Sequence, residues 1–157
     1  MINTISTIIL DIAIFIILLL ASKQDIKTRI VPPKYQIALA ICSILNLLIK
    51  FFVIKDTSSA LNCLLTGLGL FAIYITFVLL GKGGIGGADT KISSLMASYL
   101  GLTQTVIFMI SHCVVALIYT IYRFVKHKEQ IKSVPLMPFL AAGFIIARII
   151  YWLSTIL

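Results

Sequence analysis

The sequence predicts an all-α, polytopic integral membrane protein with six transmembrane helices, and three observations support this. The chain of 157 residues is 61% hydrophobic and only 11% charged, with a mean hydropathy of +1.13. A soluble domain carries about 25% charged residues, roughly twice that fraction. Apolar runs close to the length of a membrane-spanning helix recur along the chain. The basic residues collect in the short segments between those runs, as in loops that set membrane topology.

Five apolar runs are long enough to cross a bilayer: 4–22, 35–54, 58–80, 104–122 and 136–156. The first run has no basic residue in front of it, whereas a secretory signal does, so we expect an uncleaved first span. A sixth run, 90–101, is short. We expect it to cross inside a protein-lined or wet cleft, or where the membrane is locally thin. No room remains for another domain of ordinary size, so residues 1–157 are predicted to form a single membrane domain.

The distribution of basic residues predicts the orientation. Counting the short run as a helix places ten of the 13 basic residues on one face, in segments 23–34, 81–91 and 123–134. The other face has only Lys50 and Lys55. The first face is therefore predicted to be cytoplasmic, with the N- and C-termini both outside the cytoplasm. Since the net charge of +8 lies in these loops, the expected partner is the lipid bilayer and not a nucleic acid.

Asp25 and Asp89 are the most informative of the five acidic residues, because they fall at the predicted cytoplasmic ends of apolar runs. Carboxylates next to a membrane core are costly and are usually functional. Two carboxylates a few ångströms apart share one proton, since both cannot ionise cheaply. One can then act as a base on water and the other as an acid toward a carbonyl oxygen or a leaving amine. The pair titrates as a unit, so neither role is assigned to one residue.

The segment before Asp89 is rich in glycine, with five glycines in residues 81–89. Glycine permits positive φ and close backbone approach, so Gly86, Gly87 and Ala88 are predicted to shape a loop beside an extended peptide. A purely structural Asp89, favourable in the first turn of a helix, is the alternative. The histidines and cysteines lack metal-ligand spacing, so neither a metal nor a cofactor is expected.

These segments resemble the type IV prepilin peptidase family, a branch of the GxGD aspartic intramembrane proteases. Residues 25–32 (Asp-Ile-Lys-Thr-Arg-Ile-Val-Pro) are similar to its first catalytic aspartate with the following basic residues and proline. Residues 86–91 (Gly-Gly-Ala-Asp-Thr-Lys) resemble its G-x-G-D-x-K segment. Residues 134–143 (Val-Pro-Leu-Met-Pro-Phe-Leu-Ala-Ala-Gly) resemble its P-x-x-P-F-L-x-x-G segment at the last helix. Together with the six-span layout, the resemblance covers nearly the whole chain, and the three segments in this order are specific.

The chain departs from the family pattern in three places. Ala88 replaces the second glycine of G-x-G-D, and Pro33 stands where the family often has asparagine. The cysteine-rich N-terminal region of the long forms is absent. The chain therefore resembles the short forms, and we do not expect N-methyltransferase activity.

The resemblance implies a role for each matching residue. Asp25 and Asp89 would be the catalytic pair, Lys91 would support the site, and Pro135 and Pro138 would shape the start of the last helix. The implied activity is that of an aspartic endopeptidase of the inner (cytoplasmic) membrane. It would cut prepilin-like or pseudopilin proteins on the cytoplasmic side, between a short basic leader and an apolar helix. The particular substrate and the oligomeric state stay open.

Two further charges lie inside apolar runs, Asp11 in the first and Arg148 in the last. At about 1.5 Å per residue they lie roughly 17 and 20 Å from the cytoplasmic ends, so we predict a buried ion pair between the first and sixth helices. Two other functions remain open. One is a small proton-coupled transporter in which Asp11, Asp25 and Asp89 carry protons. The other is a catalytically silent assembly factor on the same fold.

Overall fold

The computed structural model describes residues 2–80, 87–127 and 135–156, and these form six α-helices without a strand. The helices are α1 (Ile2–Thr28), α2 (Pro33–Leu48), α3 (Thr57–Leu80), α4 (Gly87–Leu100), α5 (Leu102–His127) and α6 (Met137–Ile156). A π-helical segment, Ile49–Val53, continues α2. The predicted all-α fold of six helices is confirmed.

Five of these helices are long and apolar enough to cross a membrane: α1, α2 with its π-helical continuation, α3, α5 and α6. Many of their large apolar side chains are exposed on the outside of the bundle, where lipid would contact them. The protein is therefore a multi-pass membrane protein. α1 extends past the predicted run 4–22, because bilayer thickness limits the apolar length of a helix and not its total length. Its last turns carry exposed Lys23 and Lys27 and the buried Asp25.

α4 is short and enclosed by the protein. Its 14 residues span about 21 Å, less than the roughly 30 Å of a hydrocarbon core. Most of its residues are buried, including Ile92 and Ser93, and it packs mainly against α2 and α3. The Ser43 hydroxyl of α2 donates a hydrogen bond to the Leu95 carbonyl of α4 at 2.9 Å. The short run 90–101 thus lies inside the protein, as expected of a helix too short to face lipid.

The helices pack in two groups, α1 with α5 and α6, and α2 with α3 and α4. Gly143 of α6 permits the close approach of α5, because a Cβ there would lie 2.8 Å from His112 Cβ and 3.0 Å from the Phe108 carbonyl oxygen. Contacts of α1 with α2 and of α4 with α5 join the two groups. Between α4 and α5 the chain turns at Gly101, whose φ of +78° lies in the left-handed region that favours glycine.

A buried cluster of Asp11, Tyr99 and Arg148, here called the polar triad, also joins the two groups. Arg148 of α6 donates to Asp11 Oδ2 of α1 from Nε at 2.9 Å and from Nη2 at 2.6 Å. The Tyr99 hydroxyl of α4 donates to Asp11 Oδ1 at 2.7 Å. The side chains of the ion pair are only 11% and 13% exposed. The predicted ion pair between the first and sixth helices is confirmed, and Tyr99 is an additional member.

Removing one member of this ion pair should destabilise the fold. Asp11→Leu leaves the Arg148 guanidinium buried without its carboxylate, and we expect a loss of about 3 kcal/mol or more. The double variant Asp11→Leu/Arg148→Met should recover most of that loss, because no charge is left buried. Thermal midpoints of the detergent-solubilised protein measure both effects. Asp56→Asn, at an exposed acid that caps α3 through the Ser59 N–H, is the control. A single variant as stable as the wild type would contradict this account.

Candidate active site

Asp25 lies in the last turns of α1 and faces the interior, with 7% of its surface exposed. The helix ends after Thr28, where the Arg29 N–H donates to the Asp25 carbonyl oxygen at 2.8 Å. Arg29 has a φ of 54°, a left-handed conformation that costs a non-glycine residue about 1–2 kcal/mol. This conformation turns the chain away from the helix axis. The Asp25 carboxylate is therefore presented from a regular helix and not from the connecting loop.

The Asp25 carboxylate accepts a hydrogen bond from the start of α6. The Met137 N–H donates to Asp25 Oδ2 at 3.0 Å. Pro138 has no N–H, and the Phe139 N–H donates to the Leu136 carbonyl at 3.0 Å, so Met137 supplies the first-turn donor. The N-terminus of a helix also favours a nearby negative charge. The sequence placed Pro138 near the site but did not identify this backbone donor.

Asp89 lies in the first turn of α4, outside the five helices that are long and apolar enough to cross a membrane. Burial and, second, the negative charge of Asp25 raise the pKa of Asp89 from its ordinary value of 3.8 to about 6. The two carboxylates therefore lie close enough to interact, at one end of the bundle. We call this the aspartate end and the opposite end the triad end. The catalytic roles of the two residues remain predictions.

Tyr74 of α3 is a neighbour of Asp89 that the sequence did not single out. Its side chain lies near that of Ser93, one helical turn after Asp89, and within electrostatic range of the Asp89 carboxylate. The sequence could not predict this proximity, because a tyrosine inside an apolar run is identified as a neighbour of Asp89 only once the packing of α3 on α4 is known.

Three residues were predicted to shape the glycine loop. Gly86 lies outside the described residues, while Gly87 and Ala88 belong to the first turn of α4. Ala88 has an ordinary negative φ, since positive φ among the described non-glycine residues is confined to Arg29 and Lys55. Alanine therefore causes no backbone strain in place of the second glycine. A Cβ on Gly87 would meet no atom of the described residues within 4 Å.

The other predicted support residues, Lys91 and Pro135, lie in different segments of the chain. Lys91 is two residues after Asp89, which turns it roughly 200° around α4. It is exposed and lines an apolar groove of about 380 Å³ between α2, α3 and α4, together with residues such as Phe71 and Leu95. Pro135 is partly buried and precedes α6 by two residues, close to the Met137 donor. The support that Lys91 gives to the site stays a prediction.

The described ranges contain no group of three or more His, Cys, Asp or Glu side chains that could hold a metal ion. The groups brought together are two carboxylates and one backbone N–H. Such a set can perform acid–base chemistry on a bound water molecule.

Residues 12–121, more than half of the chain, match the type IV leader peptidase family. A curated relative, the prepilin peptidase EppA of Methanocaldococcus jannaschii, is 30% identical over 110 residues. That alignment covers 66% of this chain but only 27% of the relative, so the chain spans about a quarter of the relative's length. No solved structure matches. The matched segment contains both Asp25 and Asp89. Because the match covers more than half of the chain, the chain belongs to the type IV leader peptidase family.

Proposed function

We propose that this protein is an aspartic endopeptidase that removes the leader of prepilin-like proteins, with Asp25 and Asp89 as its catalytic pair. The observation that carries the proposal is the interaction between the two carboxylates, since burial and the charge of Asp25 raise the pKa of Asp89 to about 6. A structural acid at a helix N-terminus needs no second carboxylate beside it. Membership of the leader peptidase family agrees with this function.

The pair can hydrolyse a peptide bond when it holds one proton. The carboxylate takes a proton from water as the water oxygen bonds to the scissile carbonyl carbon, and the carboxylic acid protonates the carbonyl oxygen. The resulting gem-diol collapses when the C–N bond breaks. The nitrogen takes the proton gained from water, and a hydroxyl proton returns to the other aspartate. One water is consumed and the pair again holds one proton, so the roles of base and acid belong to the pair.

Two features beside the pair suit this reaction. The Met137 N–H holds Asp25 Oδ2 at 3.0 Å, which orients the carboxylate before substrate binds. Within the part of the chain that the structure describes, no atom would lie within 4 Å of a Cβ on Gly87, which suits the close approach of an extended substrate backbone. An extended substrate is required because the carbonyl groups of a helical peptide are already hydrogen-bonded and shielded by the helix.

We place the aspartate end at the cytoplasmic face, with both termini outside the cytoplasm. Lys23, Lys27 and Lys34 lie at this end, whereas Lys50 and Lys55 lie near the other, in agreement with the positive-inside rule. A prepilin-like or pseudopilin protein has a basic leader followed by an apolar helix. With that helix in the bilayer, its leader junction would lie at the level of the pair.

The proton-coupled transporter is less well supported. It needs Asp11 as a free proton carrier, but Asp11 Oδ2 accepts two hydrogen bonds from Arg148 and Oδ1 accepts one from Tyr99. The catalytically silent assembly factor shares every structural feature with the enzyme. Mutation of the aspartate pair distinguishes it from the enzyme.

Asp25→Asn and Asp89→Asn should each abolish leader cleavage. Loss of a general acid or base typically lowers the rate by about 100- to 10,000-fold, and an amide can serve as neither. The measurement is the gel shift on leader removal from a co-expressed prepilin-like protein. The matched control is Asp56→Asn, whose amide can still cap α3 at the triad end, and it should cleave normally. Near-normal cleavage by either site variant would reject the catalytic pair, and an inactive wild type would favour the silent assembly factor.

The cleavage rate should fall as the pH rises above about 6. The pair, in which the pKa of Asp89 is raised to about 6, then loses the single proton that it needs for the acid step. Above that value kcat/KM should decline about tenfold per pH unit, as for the loss of one proton. The purified protein can be assayed in detergent from about pH 5 to 8, with its thermal midpoint followed over the same range to verify folding. A rate independent of pH across this range would contradict the role of the singly protonated pair.

A further inference from the structure

The helices that build the aspartate end also build the polar triad. α1, α4 and α6 each contribute one polar group at either end of the bundle. The groups are Asp25, Asp89 and the Met137 N–H at the aspartate end, and Asp11, Tyr99 and Arg148 at the triad end. On α4, ten residues separate Asp89 from Tyr99, about 15 Å along the helix. The triad therefore does not touch the reacting groups and can act on them only through the helices.

α1 and α4 belong to different packing groups. α4 packs mainly against α2 and α3, and α1 packs mainly against α6 and α2. The catalytic pair needs one carboxylate from each group, so its geometry depends on how the two groups are held together. Apolar contacts also hold helices together. In a bilayer they give little preference for one register, because a lipid tail is as apolar as a leucine side chain, and they therefore tolerate small axial shifts of one helix along another.

Tyr99 is a direct polar link between the two groups. Its side chain is 3% exposed, and its hydroxyl donates to Asp11 Oδ1 at 2.7 Å. A hydrogen bond to a charged acceptor in a low-dielectric interior is strong and directional. Arg148 holds the other oxygen of Asp11 with two donors, so the acceptor is itself fixed on α1.

We propose that Tyr99 is a positioning residue: by bonding to Asp11 it sets the axial position and rotation of α4 relative to α1, and so holds Asp89 beside Asp25. The proposal rests on the proposed function of the aspartate pair. α4 is a regular helix between Asp89 and Tyr99, so a shift at one end moves the other end with it. A displacement of about 1 Å at a catalytic group can cost on the order of 100-fold in rate.

The first test compares two Tyr→Phe variants at the same end of the bundle. Tyr99→Phe removes the hydroxyl that reaches Asp11 and keeps the ring that packs on Phe144. Tyr151→Phe is the matched control, because the ring of Tyr151 contacts the Arg148 guanidinium at 4.5 Å but its hydroxyl is not part of the triad. We expect kcat of Tyr99→Phe to fall on the order of 10-fold or more with little change in KM, and Tyr151→Phe to resemble the wild type.

Thermal midpoints and the amount of folded protein separate positioning from stability. A positioning role lowers kcat per folded molecule, whereas a purely structural role lowers only the folded fraction. The proposal is overturned if Tyr99→Phe has the same kcat per folded molecule as Tyr151→Phe.

A second test reports the geometry without catalysis. Asp25→Cys and Asp89→Cys are combined in a chain whose three native cysteines are replaced by alanine, and joined with a short bifunctional maleimide. The yield of linked peptides, read by mass spectrometry, should fall when Tyr99→Phe is added and should not change with Tyr151→Phe. An equal yield in both backgrounds would refute the positioning role even if Tyr99→Phe lowered activity.

Asp25→Asn in the same cleavage assay distinguishes the proposal from the proposed function. If Asp25→Asn is inactive while Tyr99→Phe matches Tyr151→Phe in both tests, the positioning role is wrong and the catalytic pair stands. If Asp25→Asn cleaves normally, the catalytic pair is wrong. The crosslinking result then still decides whether Tyr99 holds the two carboxylates together.

Discussion

The cost of burying charge in an apolar bundle governs this structure. Two carboxylates inside the bundle are compensated by groups from other helices: Asp11 by Arg148 and Tyr99, and Asp25 by the Met137 N–H. Such bonds are directional, whereas contacts between apolar helices in a bilayer are not. The groups that neutralise the buried charges therefore also determine which helices lie next to each other and in which register.

The short fourth helix follows from the same constraint. A helix of 14 residues cannot expose both ends to water while facing lipid, so α4 is enclosed and its neighbours supply the polar partners. The Asn46 side-chain amide donates to the Tyr99 carbonyl at 2.9 Å near its C-terminal end, and the Ser43 hydroxyl donates to the Leu95 carbonyl one turn earlier. Enclosure leaves the first turn of α4, with Asp89, at the aspartate end of the bundle.

Hydropathy was sufficient to predict the number, order and type of the helices, because a bilayer imposes one strong rule on apolar length. It was also sufficient for the ion pair, since Asp11 and Arg148 are isolated charges at similar depth. It failed at the end of α1, where polar residues continue the helix past the apolar run. The Met137 donor was not predicted because a backbone N–H has no side-chain signature. Glycine richness predicted a loop that includes Gly87, and α4 begins at this residue, since glycine is tolerated at a helix N-terminus.

The geometry of the aspartate end needs support from elsewhere in the molecule. When both carboxylates are ionised, Asp25 and Asp89 repel each other, so the pair cannot hold α1 and α4 together by itself. The Met137 N–H binds Asp25 to α6 and does nothing for α4. If α4 were positioned relative to α1 only near Asp89, it could still tilt and slide. A second contact at Tyr99, about 15 Å along the helix, restricts both motions. The bond from Tyr99 to Asp11 is attractive at either protonation state of the catalytic pair, and it can oppose the repulsion that arises when both carboxylates are ionised.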